Sequence, residues 1–417
     1  MKILCSSLVV FSILVPLLVY AGDGNYQNYI VGEQAAGMGG AVTALCRSVD
    51  ACFFNPAGLA DSPGSTISLS ASLYGFYRYE VDSGWNPDED VKINSFVTIP
   101  STFGSIWKVS EAISVALSAF VPDRLSSNDL EVFPDTDHYF KYSKDDQTLW
   151  IGPSIGFHIT PDLSVGISLF GAYRTFSFFQ EYHAFAGNVG FSISRDIKYY
   201  DLSLVGILGI RYSLSEAWSL GLRIQAPSIH LTGDGEYLNQ VVSPTITGKN
   251  YIDHGETENK LPTSITGGIG YESPMEYAFG LDVTYHFPTS FNRFSGYDQN
   301  GLYGEYRLRR LGTCNVNLGG EYYVIDRYPV RFGVFTNLSS APKVDSEDPN
   351  WDYPAHIDKY GITLSVGRET ENTSTNIGIN YVWGEGDFYG YDTNLEADKV
   401  SAKESYLYLF LASSYLF

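Results

Sequence analysis

Asp137 and His138, with Asp145 and Asp146 a few residues on, are the side chains whose types could do chemistry, because carboxylates beside an imidazole can pass protons to and from an attacking water. Their spacing argues against it. Adjacent residues of an extended segment point to opposite faces, so Asp137 and His138 diverge, and neither a GxSxG elbow nor an HExxH pair occurs in the chain. The acidic clusters Asp88-Glu89-Asp90, Asp135/Asp137 and Asp145-Asp146 read as solvated loop charge, since no calcium-loop pattern with its glycine is present. The expectation is a protein that is not an enzyme, with no metal and no cofactor. Cys46 and Cys52 lack the CxxC spacing of metal and redox sites. In an oxidising compartment they are expected to close a small disulfide loop, with two free buried thiols as the alternative.

What remains is the chemistry of binding. Arg174, Arg211, Arg223 and Arg331 fall opposite their apolar neighbours, so each could meet a carboxylate inside an enclosed space; Arg174 and Arg223 are taken as substrate-binding candidates. Arg211 and Arg223 flank a short turn, where a place at a rim is equally ordinary. Phe178, Phe179, Tyr182 and Phe185 are spaced so that a helix would gather them into an apolar stripe, suited either to capturing lipid-like molecules or to packing a loop on its neighbours. Tyr406, Tyr408 and Phe410 alternate with Leu407, Leu409 and Leu411. That parity gives an interior an apolar wall, with Tyr408 and Phe410 as further candidate contacts.

The elements that must position these residues are strands. From about Ser65 onward, runs of roughly ten residues alternate apolar with small or polar and then break. In Tyr277–Phe287 the residues Tyr277, Phe279, Leu281, Val283, Tyr285 and Phe287 share one face, and Ala278, Gly280, Asp282, Thr284 and His286 the other. A sandwich would bury the apolar face and a barrel would turn it to lipid, so periodicity alone leaves both open. The rhythm of the breaks favours the barrel. Short ones near Lys108–Glu111, Thr160–Leu163, Leu214–Ala217, Glu272–Glu276, Ile325–Tyr328 and Arg368–Thr373 alternate with long ones, as short periplasmic turns alternate with extracellular loops. Counting runs predicts an all-β, transmembrane antiparallel β-barrel of about 14 strands. Tyr 32 and Phe 25 suit the aromatic girdles of such barrels, and a net charge of −21 excludes nucleic acid as a partner.

Residues 1–21 read as a signal peptide: Lys2 is the positive start, Leu8–Tyr20 the apolar stretch, and Val19-Tyr20-Ala21 an acceptable cleavage site. No later segment approaches the length of an apolar membrane helix. Between signal and strands lies Gly32–Ala60, rich in small residues at first and ending in Phe53-Phe54-Asn55-Pro56-Ala57-Gly58-Leu59-Ala60. Pro56 fixes its own φ and holds Asn55 extended, Ala57 and Gly58 follow in a turn, and the Asn55 amide can bond two backbone partners. This suits a fixed contact between a plug and a wall.

An AAGMGGA element followed by an NPAGLA element closely resembles the N-terminal hatch of the FadL-type outer-membrane long-chain fatty acid transporters. The resemblance implies a hatch over 22–63 in the lumen of a barrel over 64–417, in a family whose barrels also have fourteen strands. It implies passive uptake of hydrophobic molecules, long-chain fatty acids or aromatic hydrocarbons, captured by extracellular loops and released sideways into the membrane. In the family the NPA element packs against a kinked third strand beside the lateral opening. Here that strand is read as Ala112–Val121, so Pro122 joins Asn55, Pro56, Ala57 and Gly58 as a gating candidate, with a strand-ending proline as the bland alternative. Terminal Phe417 resembles the signal read by the outer-membrane assembly machinery. Partners expected are hydrophobic small molecules, outer-membrane lipid, lipopolysaccharide and that machinery, with the chain a monomer in the outer membrane. A general porin or a surface adhesin or receptor barrel is the alternative.

Overall fold

Alternating segments form strands because every second side chain can then face one environment, and here the sheet closes on itself. The computed structural model describes residues 24–82, 91–97, 102–133, 138–186, 189–243, 247–345, 347, 353–391 and 397–417; the signal segment 1–21 and Asp137 lie outside these. Among them nineteen antiparallel segments make one closed sheet with fourteen positions round the barrel, here called staves. β1 (Thr66–Val81) is the first stave, and β2 (Val91–Val97) with β3 (Thr102–Ser110) the second. Four long strands follow singly: β4 (Ile113–Phe133), β5 (His138–Thr160), β6 (Leu163–Ala186) and β7 (Val189–Ser213). The next four staves are each built from two pieces, a lower and an upper. They pair β8 (Trp218–Gln225) with β9 (Ile229–Val242), β11 (Ser264–Ser273) with β10 (Thr247–Thr257), β12 (Tyr277–His286) with β13 (Thr289–Tyr297), and β15 (Thr313–Ile325) with β14 (Tyr303–Arg310). The last are β16 (Tyr328–Asn337), β17 (His356–Glu369), β18 (Thr373–Tyr391) and β19 (Ala397–Leu416).

Closure comes from β1 and β19, which pair from Thr66↔Leu416 to Val81↔Ala402. No sheet edge is then left along the seam, where an unpaired backbone group in hydrocarbon would cost several kcal/mol. The sheet is inside out by the standards of a water-soluble protein. On β12 the exposed residues are Phe279, Leu281, Val283 and Tyr285, while Ala278 and Asp282 are buried. On β19 Leu407, Leu409 and Leu411 face out, and Tyr406, Tyr408, Phe410 and Ala412 face in. Large apolar side chains outside and polar ones inside are stable only when the outer solvent is lipid. The fold is a transmembrane barrel.

The six short breaks read in the sequence are tight turns, for example at Pro161-Asp162 and Asp326-Arg327. The long breaks differ from expectation. Most of their length is strand: β4 runs through Pro122 to Phe133, and β6 and β7 continue as a paired ribbon from Arg174↔Asp201 to Ala186↔Val189. Beyond the lipid band neither face of a ribbon has to be apolar throughout, so the alternation that marks a strand fades while its backbone ladder persists.

The N-terminal segment lies within this wall. It carries α1 (Gln34–Gly37), α2 (Ala51–Phe54) and a 3-10 turn at Pro56–Asp61, and its residues Ala35, Met38, Val42, Val49 and Leu59 are wholly buried.

Candidate functional site

The site is built where the N-terminal segment meets the wall. Asn55 ends α2 in an extended conformation and starts the 3-10 turn, with Pro56 in its first position. Its Nδ2 donates to the Thr43 carbonyl at 2.7 Å and to the Ile210 carbonyl of β7 at 3.0 Å, while its Oδ1 accepts from the Ala57 N–H at 3.2 Å. The side chain is fully buried. One amide thus ties two parts of the segment to each other and to the barrel.

The close approach needed for this is made by the wall, through glycines that sequence reasoning passed over. Gly156 of β5, Gly166 of β6 and Gly209 of β7 are register partners on adjacent staves, forming a bare strip. Asn55–Ala57 lies on that strip. A Cβ at Gly166 would stand 2.3 Å from the Pro56 carbonyl, and one at Gly209 would stand 2.2 Å from Asn55 Oδ1. A second strip, Gly270, Gly280, Gly319 and Gly333, crosses β11, β12, β15 and β16 in register. The stretch Met38–Ala41 presses on its last three members. The signal was present in the strands as glycines at inward parity, but only paired registers reveal the strips.

Polar ties run round the segment. Asp282 of β12 accepts the Val42 and Thr43 N–H groups at 3.0 and 2.9 Å, Asn317 of β15 donates to the Gly39 carbonyl at 2.6 Å, and Thr363 of β17 donates to the Gly37 carbonyl at 2.7 Å. Towards the short-turn end Arg47 forms a fork with Glu272, at 2.7 Å for the closer pair, and Asp61 pairs with Arg211 at 2.8 Å. Towards the other end Asn25 donates to the Asn337 and Ile357 carbonyls, and Tyr408 accepts the Ile30 N–H at 3.3 Å.

The nominated arginines have distinct surroundings. Arg211 serves the segment, donating also to the Ala44 carbonyl at 2.9 Å, and Arg331 pairs with Glu321 and with Glu369. Arg174 holds Asp146 through two bonds of 2.8 and 2.7 Å. Arg223 donates to the Phe53 carbonyl, Ser264 and Gln225, all uncharged. Tyr408 is a tie, as described, and Phe410 is buried against Gly378.

Two further expectations are corrected. Cys46 and Cys52 are free buried thiols and form no bridge. Burial pushes the Cys52 thiol up to about 11 and the Cys46 thiol well above the usual range, so neither supplies the thiolate that oxidation requires. The aromatic stripe is not helical either. Phe178, Phe179, Tyr182 and Phe185 lie on β6, so Phe178 turns inward with Tyr142 and Phe176, while Phe179 lies on the other face beneath Lys141. The side chains of His138 and Phe185 lie outside the described residues.

Two of the cavities among the described residues bear on the site. The lower, about 140 Å³, rests on the segment and is lined by Tyr26, Phe53, Phe54, Trp150, Arg223 and Arg310, with Pro122 at its side. The upper, about 210 Å³, lies between β7, the β9–β10 ribbon and the β13–β14 hairpin, lined by Ile197, Tyr199, Tyr237, Ile252, Phe294 and Tyr306. Rings connect them. Tyr199 stacks on Phe176 at 4.7 Å, and Arg174, which lines the lower cavity, lies over the same Phe176 ring at 5.8 Å. Beside Pro122, β4 bulges between Phe120 and Asp123 in its pairing with β5. Further along, among the described residues, β2 meets β4 through Asn94 N–H to Asp129 at 3.1 Å and Ser95 to Ser127 at 2.7 Å, without a backbone ladder.

The chain is a closed barrel whose own N-terminal segment is bonded to its inner wall. The fold is the FadL-type fold. It is similar, over 94% of this chain and 99% of the other, to a Pseudomonas aeruginosa FadL homologue, with a TM-score of 0.68 at 12% identity. It is similar likewise to the Pseudomonas putida toluene transporter TodX, with 13% identity, a TM-score of 0.70 and coverage of 94% and 100%. The Ralstonia pickettii toluene transporter TbuX gives 13% identity, a TM-score of 0.65 and coverage of 94% and 99%. No family model matches the sequence and no curated protein matches it.

Proposed function

We propose that the chain is an outer-membrane channel for passive uptake of hydrophobic molecules, with residues 24–62 acting as a hatch. The observation that carries this is the placing of the lower cavity between a tied floor and the bulge of β4. Its floor is held to the barrel at Asn55, Asp282, Asn317, Thr363, Arg47 and Asp61, so the way straight down is obstructed. Its side reaches Pro122 and the bulge of β4, and further along the same strand Ser127 and Asp129 meet β2 through side chains. Cargo enters at the upper cavity, moves along the Tyr199–Phe176 rings, and leaves sideways between β2 and β4 into lipid. Each ring offers apolar burial worth about 25 cal/mol per Å² removed from water, which is enough to attract and too little to trap.

Transport of this kind needs neither catalysis nor an energy source. A general porin would need an open polar lumen, which the buried Ala35–Leu59 segment disfavours. The test is deletion of 24–62, with single-channel conductance and uptake of a hydrophobic tracer both recorded. Raised conductance supports a hatch, and unchanged conductance with unchanged uptake would overturn it.

A further inference from the structure

Arg223 and Arg310 share an unusual position. Both are 8% exposed, both line the lower cavity, and neither has a carboxylate within ion-pair distance among the described residues. Arg223 is satisfied by neutral oxygens and lies over the Phe53 ring at 5.6 Å. Arg310 lies over the Tyr26 ring at 5.0 Å. The two carboxylates that line the same cavity are engaged elsewhere, Asp282 with the Val42 and Thr43 N–H groups and Asp123 with the Asn28 amide at 3.1 Å. A buried guanidinium without a counter-charge is costly, and an arriving anion removes that cost. Around the pair stand polar atoms that are buried and unpartnered: Tyr26 OH, His286 Nδ1 and Trp150 Nε1. His286 itself stacks on Tyr26 at 4.3 Å.

Size narrows the ligand further. About 140 Å³ is close to the roughly 150 Å³ apolar cavity that takes up one benzene ring, and is short of an extended acyl chain. Phe53, Phe54, Tyr26 and Trp150 provide faces and edges for such a ring. We infer that this cavity is a binding site for monocyclic aromatic carboxylates, the ring among Phe53, Phe54 and Trp150 and the carboxylate between Arg223 and Arg310. Arg310 is the specificity-determining residue, since its guanidinium lies over the Tyr26 ring and, unlike that of Arg223, makes no hydrogen bond to the backbone of the N-terminal segment among the described residues. The inference rests on the channel reading and goes beyond it by adding charge and size to the choice of cargo.

The experiment measures equilibrium binding of benzoate, benzyl alcohol and decanoate to the full-length chain in nanodiscs. Benzyl alcohol has the same ring without the charge, and decanoate has the charge without the ring. Benzoate is expected to bind at least about tenfold more tightly than either, the effect of a charge-assisted hydrogen bond. Its affinity, unlike that of benzyl alcohol, is expected to fall as chloride is raised. Arg310→Gln is expected to weaken benzoate about tenfold and to narrow its advantage over benzyl alcohol by the same factor. Equal binding of benzoate and benzyl alcohol, or an Arg310→Gln variant that keeps the advantage, overturns the anion site. Tighter binding of decanoate overturns the ring-sized class. If Arg310→Gln fails to fold, the chloride dependence on the unaltered chain decides, and its absence counts against the pair. None of these results alters the conductance of the hatch deletion, which tests the channel separately.

Discussion

At the scale of single residues, Asn55 shows how one side chain can be more informative than its neighbourhood. Its donors face two carbonyls and its acceptor faces an N–H, so only an amide satisfies all three. Asn55→Ala is expected to loosen the hatch by about 1–3 kcal/mol, the cost of leaving buried partners unmade. Asn55→Asp, nearly the same shape, should do worse, because an ionised carboxylate would confront the Thr43 and Ile210 carbonyls. Tracer uptake and the heat-dependent gel mobility of the folded barrel check this, with reduced uptake and normal mobility expected for both. The thiols give a second check. Cys46 and Cys52 should resist maleimide in the folded protein and react once it is unfolded, as mass spectrometry of the labelled chain would show. The capacity of the Asn55 amide for two backbone bonds was legible from Asn-Pro alone. The free state of the cysteines was not, because nearness in sequence says nothing about which wall each thiol faces.

At the scale of elements, the strands that cross lipid were legible and their extensions were not. Lipid imposes strict alternation on Tyr277–His286, whereas β6 and β7 continue for many residues beyond that constraint. That is also why Phe178 and Phe179, read as companions on a helical stripe, lie on opposite faces of β6. The glycine strips were hidden for another reason: a glycine at inward parity is unremarkable until the register places others beside it. Gly166→Val should therefore act on the hatch and spare the strand, since the added carbons meet the Pro56 carbonyl where overpacking costs about 1–3 kcal/mol. The expected outcome is a folded barrel with raised ion conductance. Gly206, where an added Cβ would meet nothing within 4 Å, is the control, and Gly206→Val should leave conductance unchanged.

At the scale of the whole molecule, fourteen staves, short turns at one end and an apolar outer band were all in the sequence, because each follows from a rule that every strand obeys. The two cavities were not. They arise where four adjacent staves break into lower and upper pieces, at Ala226–Ser228, 258–263, Phe287-Pro288 and Leu311-Gly312, and no local pattern announces that separate breaks will stand side by side. The N-terminal segment also has a bearing on timing. Its bonds reach β7 on one flank and β15, β17 and β19 on the other, strands that belong to early and late parts of the chain. A segment that precedes all the strands in the chain can therefore complete its contacts only after the last strand has met the first. Its docking is in effect a report that the cylinder has sealed, and a barrel assembled with a strand missing or out of register would be left with its own N-terminus hanging loose.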